Sequence, residues 1–213
     1  MAVLGIDTAT PSTLVGLLRD DGSVVERRDG VGGAGSRPNH AGRVLELVHE
    51  VVGDWDAVTR IAVGVGPGGF TGLRIGLATA RALAQGRGLE LVAVSSLQAL
   101  AAGAGEDRVA AVLDARRGEV FAAVYEGART VLMPAALAPE DAARAIGAAL
   151  AVGDGALRFR ETLERAGAVV PGDSEAVHRI AAGPLCRLGA AGTPTDRDTL
   201  LPDYRREPDA KPR

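Results

Sequence analysis

Short apolar runs separated by turn-forming residues predict three strands at the start of the chain. The runs are Ala2–Asp7, Thr13–Arg19 and Ser23–Arg28, and the segments TATPS and DDG between them are rich in residues that favour tight turns. Strands that follow one another through short turns pair in an antiparallel manner. We therefore predict a β-meander, which ends at a glycine-rich loop, Asp29–Asn39.

The next stretch, residues 40–95, alternates between helical and strand patterns. Helical spacing is clear in HAGRVLELVHEVVGDW, at Val44, Leu45, Val48 and Val52. The pattern then predicts a strand, a helix and a second strand, over Arg60–Gly66, Thr71–Gly86 and Leu89–Ser95. Because strands joined through helices are parallel and connect in a right-handed manner, these two should extend the sheet of the meander.

The same order of patterns starts again at Arg108. The segment Val109–Val131 can be laid over Val3–Val25, and in each an apolar strand ends in an aspartate, Asp7 in the first and Asp114 in the second. Helical patterns follow over Pro139–Leu150, Ala156–Gly167 and Ser174–Ala190. We predict two related subdomains, 1–104 and 105–213, each a mixed sheet flanked by helices.

Duplicated βββαβα units of this kind are the layout of the actin/hexokinase/Hsp70-like (ASKHA, ribonuclease H-like) α/β fold. In that fold, two strand-end turns hold nucleotide phosphates in the cleft between the subdomains, and Asp7 and Asp114 stand at the corresponding turns. The pattern alone leaves two interpretations open: phosphate-binding turns, or aspartates that cap ordinary turns.

The segment GVGPGGFTGLRIG, from Gly64 to Gly76, has the outline of a nucleotide loop without its chemistry. A dinucleotide loop needs an acid at the end of the following strand, whereas Glu90 begins that strand, and Pro67 removes a backbone N–H donor. A phosphate loop needs a lysine where Phe70 stands. We interpret the segment as a tight strand-to-helix turn, with Thr71 as the helix N-cap.

The helix after this turn is apolar on nearly all sides. One side carries Leu73, Leu77, Ala80 and Ala84, another carries Ile75, Ala78, Ala82 and Leu83, and Arg74 and Arg81 share a narrow polar strip. A helix of this kind is normally buried. It could be buried within the monomer, or between its own sheet and another protein, and the sequence leaves both open.

Composition and histidine spacing disfavour several classes of function. With 46% hydrophobic and 24% charged residues, a formal net charge of −3 and one cysteine, we expect a soluble cytoplasmic protein, neither membrane-bound nor generally attracted to nucleic acid. His40, His49 and His178 have no local spacing that would bind a metal, and Cys186 lies in an apolar helical setting. We therefore expect no metal and no cofactor.

Several segments together resemble one known family. They are MAVLGIDTATPSTLVGLL, AVGVGPGGFTGLRIGLATARALA, VAVSSLQALA, VLDARRGEVFAAVYE and PDYRREPDA. They are similar to the TsaB (YeaZ) family, the non-catalytic partner in bacterial threonylcarbamoyladenosine tRNA modification. Near the end, PDYRRE stands in place of the family's usual P-x-Y-L-R. The basic ending Tyr204–Arg213 is either a solvated tail or a docking segment.

The resemblance implies a scaffold rather than an enzyme. TsaB-type proteins bind the paralogous catalytic subunit TsaD, which modifies an adenosine next to the tRNA anticodon, and the ATPase TsaE joins them. TsaD carries its metal on an N-H-x-x-x-H stretch, and the matching segment SSLQAL has Ser96 and Leu100 at the two histidine positions. Contact with tRNA would then come through the complex only. The alternative is an actin-fold ATPase or kinase acting alone.

The resemblance also implies where the partner binds. In the family, the helices after the meander and after the glycine turn form the interface, which also serves homodimers; here they are Ala41–Val52 and Thr71–Gln85. Asp7, Thr8 and Asp114 match ancestral phosphate turns. The interface residues expected on this basis are Val44, Leu45, Val48, Leu73, Arg74, Leu77, Ala78, Arg81 and Ala82.

Overall fold

The first half of the protein forms a five-stranded mixed sheet. The structure is a computed structural model that describes residues 1–30, 38–174 and 176–206. The strand order is β3-β2-β1-β4-β5, with β1 antiparallel to β2 and parallel to β4. The predicted meander and the two added parallel strands are thereby confirmed. The strands are β1 (Ala2–Asp7), β2 (Thr13–Leu18), β3 (Val24–Asp29), β4 (Val58–Gly66) and β5 (Glu90–Ser95).

Two helices, α1 (His40–Val51) and α2 (Phe70–Arg87), pack beside each other on this sheet. Each begins one residue before its predicted start. The Asn39 side chain caps α1 by accepting a hydrogen bond from the Gly42 backbone N–H, and α2 ends at Gly88, whose φ of 66° is left-handed. The prediction of Thr71 as the N-cap of α2 is wrong, because Gly69 holds that position without a side-chain cap.

A third helix, α3 (Ser96–Ala102), follows β5 directly and was not predicted. The Ser95 hydroxyl caps it by accepting a hydrogen bond from the Gln98 backbone N–H. Leu97 and Leu100 of this helix are fully buried in a core cluster that contains residues of both sheets. The helix therefore joins the two halves of the molecule.

The second half repeats the strand order of the first. Its sheet has the order β8-β7-β6-β9, which corresponds to β3-β2-β1-β4, with β6 antiparallel to β7 and parallel to β9. The predicted duplication is confirmed at the level of strand order and direction. The strands are β6 (Arg108–Arg116), β7 (Glu119–Glu126), β8 (Arg129–Leu137) and β9 (Leu150–Val152).

The helices of the second half are shorter than the pattern predicts. The helix predicted over Pro139–Leu150 ends at Ile146, before Gly147 with φ 57°, and the one predicted over Ala156–Gly167 is divided at Phe159. In place of a helix over Ser174–Ala190, one begins at Ala182 after a single 3₁₀ turn, Ala176–His178. The helices are α4 (Pro139–Ile146), α5 (Asp154–Arg158), α6 (Arg160–Arg165) and α7 (Ala182–Ala191).

Helix α7 packs on the first sheet although it belongs to the second half of the sequence. The approach is close, because a Cβ atom at Gly16 would lie 2.2 Å from the Ala182 Cβ and one at Gly5 would lie 2.6 Å from the Cys186 sulfur. Cys186 is buried, as expected of a small apolar side chain, and burial raises the pKa of its thiol to about 12. Contacts of the first sheet therefore cross the predicted subdomain boundary at residues 104 and 105.

Candidate functional site

The first strand-end turn, residues 7–9, is filled by the protein itself. The Thr8 hydroxyl donates to the Gly72 carbonyl (2.8 Å), and the Gly69 N–H donates to the Ala9 carbonyl (2.8 Å). Asp7 and Thr8 are each only 1% exposed. A phosphate bound at this turn would have to displace these hydrogen bonds, which tie β1 to the start of α2.

The glycines of the segment Gly64–Gly76 allow β4 and the start of α2 to lie directly against the turn at residues 7–9. A Cβ atom at Gly64 would lie 1.9 Å from an Asp7 carboxylate oxygen, and one at Gly72 would lie 2.1 Å from the Thr8 carbonyl oxygen. At Gly76 the corresponding distance is 2.2 Å, to the Thr8 hydroxyl. No side chain fits at such distances, so these glycines are required by close packing against Asp7 and Thr8 rather than by a nucleotide. The interpretation as a strand-to-helix turn is confirmed.

On the other side of the turn, the buried side chains of Ser96 and Asp7 are hydrogen-bonded to each other. The Ser96 hydroxyl donates to the Asp7 carboxylate (2.7 Å) and accepts from the Gly66 N–H (3.2 Å), while the other Asp7 oxygen accepts from the Ala9 N–H (2.9 Å). Burial raises the pKa of Asp7, and the hydrogen bonds from Ser96 and Ala9 oppose that rise. Ser96 and Leu100, which the family resemblance predicts to stand at the two histidine positions of a metal-binding motif, are both fully buried.

The second strand-end turn has a different environment, in which a buried carboxylate is shared by two arginines. Asp114 accepts hydrogen bonds from the Arg116 guanidinium (3.1 Å) and the Arg158 guanidinium (2.7 Å) on one oxygen. The Asp114 side chain is 6% exposed, whereas those of Arg116 and Arg158 are 67% and 50% exposed. The two aspartates therefore take equivalent places in the fold but differ in what surrounds them.

The residues predicted for the partner interface divide into two groups. Val44, Val48, Leu73 and Leu77 are buried in the core between the helices and the first sheet. The exposed residues are Leu45 (56%), Arg74, Ala78 and Ala82. Arg81 is half-buried, and its guanidinium donates to the Leu200 carbonyl. The side chains available to a partner are therefore those on the outer side of α1 and α2.

The C-terminal segment contributes to this surface, which the sequence did not indicate. The Tyr204 ring stacks on Phe70 at 5.1 Å between centroids, and the Arg74 guanidinium lies 5.3 Å from the Phe70 ring centroid. The Asp203 N–H donates to the Val65 carbonyl (2.8 Å). Tyr204 therefore lies against the start of α2 and Asp203 against the end of β4. Residues 207–213 of the predicted basic tail are outside the described part of the chain.

The described residues provide neither a cluster of metal ligands nor a helix suited to crossing a membrane. Within residues 1–30, 38–174 and 176–206, histidine, cysteine, aspartate and glutamate side chains form no group of three or more that could hold a metal ion. Over the same ranges, none of the helices has the length and apolar character needed to cross a membrane.

Comparison with known sequences identifies relatives. A family model described as TsaD, tRNA N6-adenosine threonylcarbamoyltransferase, matches residues 22–185. The tRNA threonylcarbamoyladenosine biosynthesis protein TsaB of Bacillus subtilis is 34% identical over 132 residues, which are 59% of this chain and 56% of that protein. The chain thus spans about half the length of this curated relative.

Comparison with solved structures extends over almost the whole chain. YeaZ from Pseudomonas aeruginosa superposes with a TM-score of 0.80 and 29% identity, covering 95% of this chain and 99% of that one. The ROK hexokinase of Thermus thermophilus, at a TM-score of 0.51 and 14% identity over 89% of this chain and 99% of that one, shares the fold alone. The predicted actin/hexokinase-like α/β fold is confirmed, and the chain belongs to the TsaB (YeaZ) family.

Proposed function

We propose that this protein is a non-catalytic scaffold in the biosynthesis of threonylcarbamoyladenosine in tRNA. It would form a heterodimer with a TsaD-type catalytic subunit, joined by a TsaE-type ATPase, and a homodimer through the same surface when alone. Family membership supports the pathway. A cytoplasmic location is part of the proposal, and the presence of one cysteine, a buried thiol, supports it.

The filled turn at residues 7–9 is the observation that carries the non-catalytic role. In an actin-fold kinase or ATPase this turn must reach a nucleotide phosphate, but the Asp7 carboxylate and the Thr8 hydroxyl are inside the protein and hydrogen-bonded to it. By the family resemblance, Ser96 stands where TsaD carries a metal-binding histidine of its N-H-x-x-x-H stretch. Its hydroxyl donates a hydrogen bond to Asp7. Metal-dependent ATP turnover by the purified chain alone would favour the alternative, an ATPase or kinase acting without a partner.

The outer side of α1 and α2 is the proposed partner surface. It combines the exposed Leu45 with the small exposed side chains Ala78 and Ala82, which let a partner helix approach closely. Arg74 and Phe70 lie at its edge, where Tyr204 stacks. Aromatic and arginine side chains are frequent energetic centres of protein interfaces, so this edge should contribute to binding.

The interface can be tested with arginine substitutions at exposed positions. Ala78→Arg and Ala82→Arg should leave the monomer folded, because both side chains are exposed, yet weaken co-purification with the TsaD-type subunit by about 100-fold or more, since each would bury an unpaired charge. Ala102→Arg, at an exposed position of α3, is the matched control.

Two readouts separate the interface from the pathway. Binding is measured by pull-down of the catalytic subunit, and function by tRNA modification in a reconstituted reaction with and without this chain. If both arginine variants still capture the subunit, the proposed location of the partner surface on α1 and α2 is wrong, but the scaffold role is not contradicted. If modification proceeds equally well without the chain, the scaffold role itself is wrong.

A further inference from the structure

Arg116 and Arg158, here called the arginine pair, are brought together from distant parts of the chain. Arg116 ends β6, and Arg158 ends α5. Both guanidinium groups contact the same Asp114 oxygen, at 3.1 Å and 2.7 Å. Because they meet at one oxygen atom, the two groups are close enough to bind one further anion together.

The arginine pair is held in place by the surrounding structure. The Asp114 carboxylate also accepts from the Arg116 backbone N–H (2.9 Å), so it fixes both ends of that residue. The Arg158 guanidinium lies 5.4 Å from the centroid of the Phe159 ring. Arg116, with a left-handed φ of 65°, begins the tight turn between β6 and β7, in which the next two residues are also left-handed. The Asp114 carboxylate therefore holds the two guanidinium groups beside each other.

The exposed groups at this turn are the guanidinium groups of the arginine pair, whereas the acids that face them are largely buried. Two carboxylates lie on the inner side of the pair: Asp114, which is almost fully buried, and Asp154, which accepts a hydrogen bond from the Asp114 backbone N–H (3.0 Å). At least half of each arginine side chain is exposed. Glu119, which pairs with Arg116 between β6 and β7, lies 3.7 Å from the Arg206 guanidinium. The exposed face of the pair is therefore positive on a chain whose formal net charge is −3.

We propose that the arginine pair binds a phosphate of an RNA backbone, so that the chain contacts tRNA directly. Each guanidinium has five N–H donors and uses one on Asp114, and paired guanidinium groups match the geometry of a phosphate. The exposed position suits a polymer that lies along the surface. This inference rests on the proposed function and extends it, because contact through the catalytic subunit alone would not need these residues.

The test replaces both arginines with glutamine, which keeps a donor for the buried Asp114. The control is Arg129→Gln with Arg144→Gln, which removes the same charge from side chains that are 71% and 72% exposed. Affinity of the full chain for tRNA, alone and with the TsaD-type subunit, is measured by fluorescence anisotropy over a range of salt concentrations. We expect about tenfold weaker binding and a shallower salt dependence for the pair variant, and less than about twofold for the control.

Three outcomes would overturn the inference. Equal loss in both variants would mean that only total charge matters, and no loss in either would mean that the pair does not meet RNA. Weaker binding of the catalytic subunit with unchanged tRNA affinity would mean that the pair binds an acidic protein surface instead. Because the proposed scaffold role is tested by the subunit pull-down and the modification reaction, its failure is distinguishable from each of these.

Discussion

Replacing Ser96 with alanine tests the account of the first turn. Ser96 is fully buried, donates to Asp7 and accepts from the Gly66 N–H, so Ser96→Ala leaves a buried carboxylate and a buried amide each short of one partner. A hydrogen bond to a charged group contributes about 1.5–3 kcal/mol, and an unsatisfied buried group costs about 1–3 kcal/mol. Allowing for overlap of the two, we expect a loss of about 3 kcal/mol at neutral pH, or about 6–12 °C in Tm.

The loss in free energy of unfolding caused by Ser96→Ala should increase with pH. Burial already raises the pKa of Asp7 above 3.8, and the hydrogen bond from Ser96 lowers it, so removing Ser96 raises the pKa further. A carboxyl group whose pKa is raised by folding lowers the free energy of unfolding progressively as pH rises from its unfolded value through its folded value. The difference between the wild-type protein and Ser96→Ala should therefore be smallest below the raised folded pKa of Asp7 in the wild type. It should grow as pH rises from that pKa towards the still higher folded pKa of the variant.

The measurement is urea denaturation at several pH values between about 4 and 8, followed by the fluorescence of Trp55, the one tryptophan of the chain. Asp7→Asn removes the ionisable group, so the loss caused by Ser96→Ala should no longer vary with pH in that background. Ser95→Ala, which removes the cap of α3, is the control and should cost about 1 kcal/mol at every pH in this range. A loss from Ser96→Ala that is the same at every pH would mean that Ser96 does not stabilise the ionised form of Asp7.

Further predictions concern packing and the thiol. Gly72→Ala should destabilise the protein by about 2–3 kcal/mol, because its Cβ would lie 2.1 Å from the Thr8 carbonyl oxygen, whereas Gly86→Ala, with no atom within 4 Å, should stabilise α2 by about 0.5–1 kcal/mol. Denaturation curves measure both, and effects of the same sign would contradict the packing account. The buried Cys186 thiol, with its pKa raised to about 12, should not react with a disulfide reagent at neutral pH until the protein unfolds. Rapid labelling of the native protein would contradict this.

The strands of the two sheets were predictable because each is a short apolar run between turn residues. Ala2–Asp7 is buried at every position, and the turns on either side of β2 gave clear boundaries. The equivalence of Asp7 and Asp114 followed from the repeated pattern and is confirmed by the parallel order of the two sheets. Local patterning was sufficient here because each element is defined by its own residues.

The missed features depend on contacts between distant residues. The three-residue strand β9 lies in an alanine-rich stretch whose pattern suits a helix equally well, and pairing with β6 decides its conformation. The stacking of Tyr204 on Phe70 and the meeting of Arg116 with Arg158 join segments with no shared local signal. The wrong prediction of Thr71 as the N-cap also involves a contact between distant residues, because the Gly69 N–H, at the observed N-cap, donates to the Ala9 carbonyl.

The structure accounts for the apolar inner side of α2. Its inner side, with Leu73 and Leu77, is buried in the core, and its glycines bring the backbone onto the turn at residues 7–9. On its outer side, the small residues Ala78 and Ala82 are exposed in the described structure. A helix that served only the monomer would be expected to carry polar residues there. The same packing that removes the first phosphate turn from solvent therefore holds rigid the surface that we propose for the partner.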